Sequence, residues 1–257
     1  MKTLEKEAKN LYDFPVRLSE IKTGDIVIPN KLAVIREDTN KPIGVVSDKY
    51  SLIKHSEAIE IFRDALKNNK YEENIELIRE GAQLFGTYKL TDMQIEVAKN
   101  DNVAMQIILK NSYDGSKSFQ LILGAFRVAC SNGMVIGREF FSFSQKHISV
   151  SNSLLNVKNN VSELISRFQD NLPIMQEMHS KKLSTSSDDL YSNKNISMPK
   201  YLLKEARENF ESNETQTVWN YYNSLTYAIT HKMKKEKPNA RFYYLEKAWE
   251  KALTLTK

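Results

Sequence analysis

Two runs of alternating apolar residues, joined by a short polar segment, constrain this chain more than any other feature. The runs are residues 103–110, "VAMQIILK", and 119–130, "FQLILGAFRVAC", and the segment between them contains "NSYDGSKS". Alternation with period two is typical of strands, and Asp-Gly favours the positive φ angles of a tight hairpin turn. The sequence therefore predicts a β-hairpin with its turn at Asp114 and Gly115.

One face of this hairpin is predicted to be buried, and an arginine continues it. The apolar side chains of that face are Val103, Met105, Ile107, Leu109, Phe119, Leu121, Leu123 and Ala125. Arg127 follows in the same phase, so we expect it at the end of the sheet, where it reaches water, or paired with an acid. Asn132-Gly133 then predicts a second turn with positive φ.

The other N-terminal segments extend the hairpin into a sheet. β-Branched and aromatic residues at 32–37 and 43–53 flank the turn formers "DTNKP", which predicts two further strands. Ser56 is then placed to cap a helix whose apolar residues recur at helical spacing from Ile59 to Leu66. This helix is expected to pack on the sheet.

From about residue 153 the apolar residues recur with helical period instead. A helical segment is predicted at 161–178, with Pro173 kinking or ending the helix, and further helices are predicted at about 199–212, at about 215–235 and from near Arg241 onward. The Ser-rich segment 180–195 is predicted to be a polar loop. The expected fold class is α+β: a mainly antiparallel curved β-sheet with one packed helix in residues 1–152, followed by a helical C-terminal region in residues 153–257, with that loop inside it.

Composition disfavours two kinds of site. A single cysteine, Cys130, cannot form an internal disulfide, and the four histidines show no metal-ligand spacing. We therefore expect no metal and no cofactor, and we interpret Cys130 as a small buried hydrophobic residue. The charged N-terminus, "MKTLEKEAKNLYDF", and the lack of a run of about 18 apolar residues predict a cytoplasmic protein without a membrane span.

The net charge of +5 is compatible with a polyanionic partner, and a local surplus of cations lies between residues 102 and 150. Its cations are Lys110, Lys117, Arg127, Arg138 and Lys146. Tyr113 and Phe119 flank the hairpin turn, and aromatic rings beside lysines commonly hold single-stranded nucleic acid. We therefore predict that these cations contact phosphates and that Tyr113 or Phe119 stacks on bases. An ordinary polar hairpin tip would have the same composition.

Arg127, Asn132 and Gly133 extend this hypothesis to a second turn. A guanidinium and the N–H groups of a turn can hold an anion or a nucleotide phosphate. The structural alternative is that Arg127 pairs with an acid and that Asn132-Gly133 only turns the chain. A further basic segment, residues 231–241, could follow a phosphate backbone or complement the dipoles of helix ends.

Three segments of the chain resemble the phage/plasmid-like protein family catalogued as domain of unknown function nine hundred and thirty-two. They are "GVVSDKYSLIKHSEAIEIFRDAL", "LKNSYDGSKSFQLILGAFRVACSNGM" and "TQTVWNYYNSLTYAITH", and the resemblance spans about Ile43 to Trp249. Its most specific element joins Arg127, Cys130 and Asn132 behind the "NSYDGS" hairpin. The resemblance implies a role in mobile-element biology and transfers no catalytic residue. At fold level only, the architecture is also similar to single-strand annealing proteins of phage recombination systems.

Three functions follow as hypotheses. The first is a nucleic-acid-binding protein of phage or plasmid DNA metabolism, for single-stranded DNA binding or annealing, without a cofactor. The second is an interaction protein that binds a host or defence component through its helical part. The third is an enzyme acting on a nucleotide or nucleic acid, with Asn132, His147 or His231 near Arg127. The expected partners are nucleic acid or a protein, and the sequence is compatible with a homo-oligomer.

Overall fold

The computed structural model describes residues 11–128, 132–135, 142–145, 156–192, 194–234 and 238–257. Within these ranges strands dominate the N-terminal part of the chain and helices dominate the C-terminal part. The α+β class predicted from the sequence is therefore confirmed.

The first sheet has three antiparallel strands, β1 (Val16–Thr23), β2 (Ile26–Arg36) and β3 (Lys41–Ser47), in that order. The sequence predicted strands in the regions of β2 and β3 but not β1. The pairing of β1 with β2 shifts register between Glu20 and Lys22. Such a shift interrupts the period-two pattern that identifies a strand from its sequence.

The second sheet has six strands and contains the predicted hairpin, formed by β6 and β7. Its strands are β4 (Tyr71–Ile78), β5 (Gln83–Ala98), β6 (Asp101–Ser112), β7 (Phe119–Arg127), β8 (Asn132–Val135) and β9 (Ser142–Gln145). The order is β4-β5-β6-β7-β8, and β9 also pairs with β7. Residues 124–127 of β7 pair with β8, and residues 119–122 pair with β9, both antiparallel.

The turn between β6 and β7 is longer than the two residues that were predicted. Gly115 has the expected positive φ of 70°, whereas Asp114 does not adopt a positive φ. The Asp114 carboxylate instead organises the loop, because it accepts hydrogen bonds from the backbone N–H of Ser116 and from the side-chain amide of Gln83, each at 2.9 Å. The loop therefore depends on side-chain contacts as well as on glycine.

Helix α1 (His55–Ala65) follows the first sheet and buries Ala58, Ile59 and Phe62. It begins one residue before Ser56, with Lys54 at the N-cap and no side-chain cap, so the prediction that Ser56 caps it was wrong. The backbone N–H of His55 donates to the Tyr113 hydroxyl at 2.7 Å. This bond replaces the expected serine cap.

The helical part contains one turn of helix that the sequence did not predict. Its helices are α2 (Val157–Asp170), α3 (Leu172–Ser180), α4 (Ser187–Leu190), α5 (Lys200–Glu211), α6 (Val218–Lys232) and α7 (Pro238–Thr256). Pro173 lies in the first turn of α3, so the predicted break between α2 and α3 is confirmed. The unpredicted turn is α4, which lies inside the expected polar loop and is capped by Ser186.

The chain divides into two compact units. The first consists of residues 1–88, 108–122 and 142–163, and the second of residues 89–107, 123–141 and 164–257. The predicted boundary at residue 152 lies outside the described residues, and the division of the chain there stays a prediction.

Each unit has its own buried cluster of large side chains. In the first unit Phe14, Val34 and Tyr113 pack together under the three-stranded sheet. In the second unit the Tyr222 ring lies 5.9 Å from Trp219 and 5.3 Å from Trp249, measured between ring centroids. In the part of the chain that the structure describes, we find no helix with the length and apolar character that a membrane span requires.

Candidate functional site

Arg127 ends strand β7 and pairs with Asp101, the first residue of β6. Its Nε lies 2.6 Å from Oδ1 of Asp101 and its Nη2 lies 2.9 Å from Oδ2, which is a bidentate ion pair. The Trp219 indole N–H of α6 donates to the same Oδ2 at 2.8 Å. Asp101 is only 7% exposed. Of the two alternatives that the sequence left open for Arg127, these contacts favour the structural one.

Asn132 and Gly133 lie in strand β8 and do not form the predicted turn. Asn132 is opposite Arg127 in the β7–β8 pairing, and Gly133 has no positive φ. The Asn132 Oδ1 lies 2.9 Å from Nε2 of His231, and the Gly133 N–H donates to the Thr230 hydroxyl at 3.1 Å. The prediction of a second positive-φ turn was wrong, because these polar groups attach β8 to the end of α6.

Tyr113 is wholly buried, so its ring offers no free face to a base. The ring stacks on that of His55 with centroids 3.9 Å apart, and burial raises the pKa of its hydroxyl above its ordinary value. Asn111 Nδ2 lies 2.9 Å from His55 Nδ1, and the Gly81 carbonyl lies 2.9 Å from Nε2. A neutral His55 with its proton on Nε2 satisfies both contacts. The "NSYDGS" segment thus links α1 to the second sheet.

Phe119 and Lys110 are also buried. Phe119 has no exposed surface, and Lys110 is 7% exposed with its ammonium 5.7 Å from the centre of the Phe85 ring. The expectation that Tyr113 or Phe119 stacks on bases, and that Lys110 contacts phosphate, does not fit these positions. The alternating pattern located the two strands correctly. It could not show that both faces of β6 are covered.

The remaining predicted residues give the sequence hypothesis little further support. Lys117 is half-buried in the loop, where its backbone N–H donates to the Ser112 hydroxyl at 3.1 Å. Arg138, Lys146 and also Cys130 lie outside the described residues.

The predicted site residues fall into two groups. Arg127 and Asn132 lie together in the second unit, whereas Lys110, Tyr113, Lys117 and Phe119 belong to the first. Among the described residues, no three His, Cys, Asp or Glu side chains come together in a way that could hold a metal ion.

A cleft of about 380 Å³ lies in the second unit, between the start of α5, the end of α6 and the start of α7. Its walls include Tyr201, Lys232, Met233, Lys234 and Tyr244, and we call it the Lys234 cleft. Tyr201 is 51% exposed, whereas Met233 is buried. The cleft therefore combines cationic side chains with accessible aromatic surface.

The two lysines of the Lys234 cleft differ in their surroundings. Lys232 Nζ lies 2.9 Å from a carboxylate oxygen of Glu205, whose hydrogen bond and charge raise the pKa of Lys232. Lys234 is exposed and forms no ion pair with any residue that the structure describes. Lys234 is therefore the cation of the cleft that is best able to pair with an anionic ligand.

The sequence indicated the two lysines of this cleft but not its two tyrosines. The basic segment 231–241 contains both lysines and was already a candidate for phosphate contact. Tyr201 and Tyr244 gave no signal, because each appears in the sequence as one aromatic residue in an amphipathic helix. Only the packing of α5 and α7 beside the end of α6 brings them to the lysines.

The family model described as Domain of unknown function (DUF932) matches residues 42–249, which is more than half of the chain. The chain belongs to this family. The resemblance found in the sequence is therefore confirmed.

Two curated relatives share a short similar stretch. UPF0380 protein YfjQ and UPF0380 protein YafZ, both of Escherichia coli (strain K12), are each 51% identical to the chain over 35 residues. This stretch covers 14% of the chain and 13% of the length of each relative. No solved structure matches the chain significantly.

Proposed function

We propose that this chain binds nucleic acid and that the Lys234 cleft is the surface that does so. The proposal keeps the ligand predicted from the sequence, together with its setting in phage or plasmid DNA metabolism, and changes the binding surface. The observation that carries it is the presence of two lysines and two tyrosines around one concave site.

The chemistry of the cleft supports this ligand. Lysines neutralise phosphates, and tyrosine rings offer a flat apolar surface on which bases can stack. The net charge of +5 adds a long-range attraction for a polyanion. Helix α5 also begins at the cleft without a side-chain cap and without an acid in its first turn.

The buried aromatic rings of the β6–β7 hairpin are no part of this proposal. Arg127 is also set aside as a phosphate contact, because a strand of nucleic acid would have to compete with the Asp101 carboxylate for its guanidinium.

The test is oligonucleotide binding by the full chain, measured by fluorescence anisotropy over a range of salt concentrations. Affinity should fall as salt rises, because phosphate contacts release counterions. Lys234→Ala should weaken binding and reduce the slope of log K against log salt by about 0.7 to 1. Lys49→Ala, which removes one exposed cation from the first unit, is the matched control and should leave the slope unchanged.

Salt-independent binding, or equal effects of Lys234→Ala and Lys49→Ala, would contradict this assignment. No detectable binding to any oligonucleotide would remove the proposed function itself.

Protein binding is the second candidate, and a specific observation favours it. The tip of the β1–β2 hairpin exposes three branched aliphatic side chains, with Ile26 70%, Val27 44% and Ile28 38% exposed, and Val45 of β3 is 57% exposed. Exposed apolar side chains at a hairpin tip can form part of an interface, whereas Val45 is opposite Ala33 and lies away from that tip. The sequence hypothesis placed such an interface on the helices instead.

Self-association is the direct test of this second candidate. If the tip binds a second copy, sedimentation should show an oligomer that Ile26→Glu dissociates, while oligonucleotide affinity per chain stays unchanged. A monomer for both the original chain and the variant would remove self-association through this tip.

A further inference from the structure

We infer that an unpaired base enters the Lys234 cleft, so that the ligand class is single-stranded nucleic acid and not duplex. The inference rests on the proposed function and deepens it. It assigns a role to the aromatic and apolar side chains of the cleft wall, whereas the lysines account for phosphate binding.

The aromatic wall of the cleft is accessible to a ligand. Tyr201 is 51% exposed beside Met233, which is 8% exposed. A phosphate would use only the hydroxyl of Tyr201, whereas most of the accessible surface of this side chain belongs to its ring. A base offers a π-face that stacks on tyrosine whatever the base identity.

The size of the cleft also favours a single base. A volume of about 380 Å³ lies at the lower end of the range of roughly 300–1,000 Å³ that is usual for small-molecule sites. A cleft of this volume suits one ligand unit the size of a nucleotide. A duplex keeps its bases stacked inside the helix, so it would reach the lysines through its phosphates and leave the tyrosine rings without partners.

The described wall of the cleft carries few unpaired charges. Glu205 offsets the charge of Lys232, which leaves Lys234 as the unpaired cation among the described wall residues. One phosphate contact lowers log K by only about 0.7 for each tenfold rise in salt on a single strand. Stacking of one base on an aromatic ring adds a further contribution to binding. A base that stacks in the cleft would therefore add to the affinity that a phosphate contact at Lys234 provides.

The experiment compares three fluorescent probes of the same length, about 20 nucleotides, which exceeds the usual site size of a single-strand binding fold. They are an oligothymidylate, a strand in which every base is replaced by an abasic spacer, and a duplex. Each is titrated with the full chain and with the variants Tyr201→Ala, Tyr201→Phe and Lys234→Ala. Circular dichroism melting checks that every variant is folded.

The expected result is selective. Tyr201→Ala should weaken binding of the oligothymidylate by about 5- to 150-fold and leave the abasic strand and the duplex unchanged, because only the first probe can stack. Tyr201→Phe keeps the ring and should bind like the original chain. Lys234→Ala should weaken every probe that binds by a similar factor.

Two results would overturn the inference while the proposed function stands. One is binding in which Lys234→Ala weakens all probes but Tyr201→Ala weakens none. The other is an equal loss for all three probes with Tyr201→Ala, which would mean that Tyr201 supports the cleft and does not contact bases. If no probe binds the original chain, the inference and the proposed function both fail.

Discussion

Asp101 accepts three hydrogen bonds, two from Arg127 and one from Trp219, although it is only 7% exposed. A carboxylate with so little access to water is stable only if such donors replace its hydration. Removal of one partner of a buried charge pair leaves the other charge uncompensated, which costs more than the pair contributes. These contacts favour a structural role for Arg127.

Arg127→Ala should lower the free energy of unfolding by about 2 kcal/mol or more, measured by urea denaturation. The matched control is Arg207→Ala, which breaks exposed ion pairs with Glu211 and Asp188 and should cause a much smaller loss. Unchanged stability of Arg127→Ala together with weakened oligonucleotide binding would show that Arg127 contacts the ligand.

Asp114 makes stability depend on pH at the acid end. Burial alone would raise the pKa of its carboxyl group, but hydrogen bonds from Ser116 and Gln83 and the charge of Arg79 outweigh burial and lower the pKa below its ordinary value of 3.8. A lowered pKa in the folded state contributes stability above the unfolded-state value, and that contribution is lost as pH falls through the folded-state value.

Asp114→Asn should therefore reduce stability at neutral pH and flatten the loss of stability below about pH 4. Urea unfolding at several pH values measures both effects. If the variant lost stability on acidification as steeply as the original chain, Asp114 would not be the group responsible.

Strand β3 passes so close to the β6–β7 loop that one of its positions has no room for a side chain. A Cβ on Gly44 would lie 2.6 Å from the Asp114 Cα and 2.9 Å from the Tyr113 carbonyl oxygen, both of them backbone atoms. By contrast, the nearest atom to a Cβ on Gly133 is the Thr230 hydroxyl at an ordinary 3.7 Å.

Gly44→Ala should destabilise the chain by about 1–3 kcal/mol, because the backbone of the strand or the loop must move. Gly133→Ala should be tolerated, and thermal unfolding of the two variants measures the contrast. A tolerated Gly44→Ala would show that β3 can move away from the loop without loss of packing.

An element could be predicted from the sequence when the residues that stabilise it are close together in the chain. Helix α5 was predicted at 199–212 and found at Lys200–Glu211, because its amphipathic pattern is complete within the helix. Strand β8 was interpreted as a turn, because Asn132-Gly133 has typical turn chemistry. What holds Asn132 in a strand is pairing with β7 and a contact to His231, 99 residues away in the chain.

At the scale of the whole molecule, strands β5, β6 and β7 each supply residues to both compact units. The backbone of each of these three strands is therefore continuous across the residue ranges of both units. We expect one cooperative unfolding transition for the described fold.

The chain provides a direct measurement of this cooperativity. Both of its tryptophans, Trp219 and Trp249, belong to the second unit, so tryptophan fluorescence reports on that unit alone. Far-ultraviolet circular dichroism reports on both units. The two urea transitions should coincide, and a fluorescence midpoint well separated from the dichroism midpoint would contradict the expectation.

The candidate site could be predicted only as far as its residues are neighbours in the sequence. The lysines of segment 231–241 were visible as a charge run, whereas Tyr201 and Tyr244 lie on separate helices and meet those lysines only through packing. The same reason explains why the sequence did not show that Tyr113 and Phe119 are buried. Their position beside a turn suggested exposure, but Tyr113 is enclosed by Phe14 and His55, which come from more than 50 residues earlier in the chain.

The shared carboxylate of Asp101 has a consequence for chimaeras within the family. The indole of Trp219 in α6 and the guanidinium of Arg127 in β7 both donate to it. Asp101, Arg127 and Trp219 should therefore be exchanged together. A hybrid that takes its C-terminal helices from a relative should fold well only when that relative supplies a matching donor for the acid at the start of β6. Grafts that ignore this match should fail even when every helix is intact.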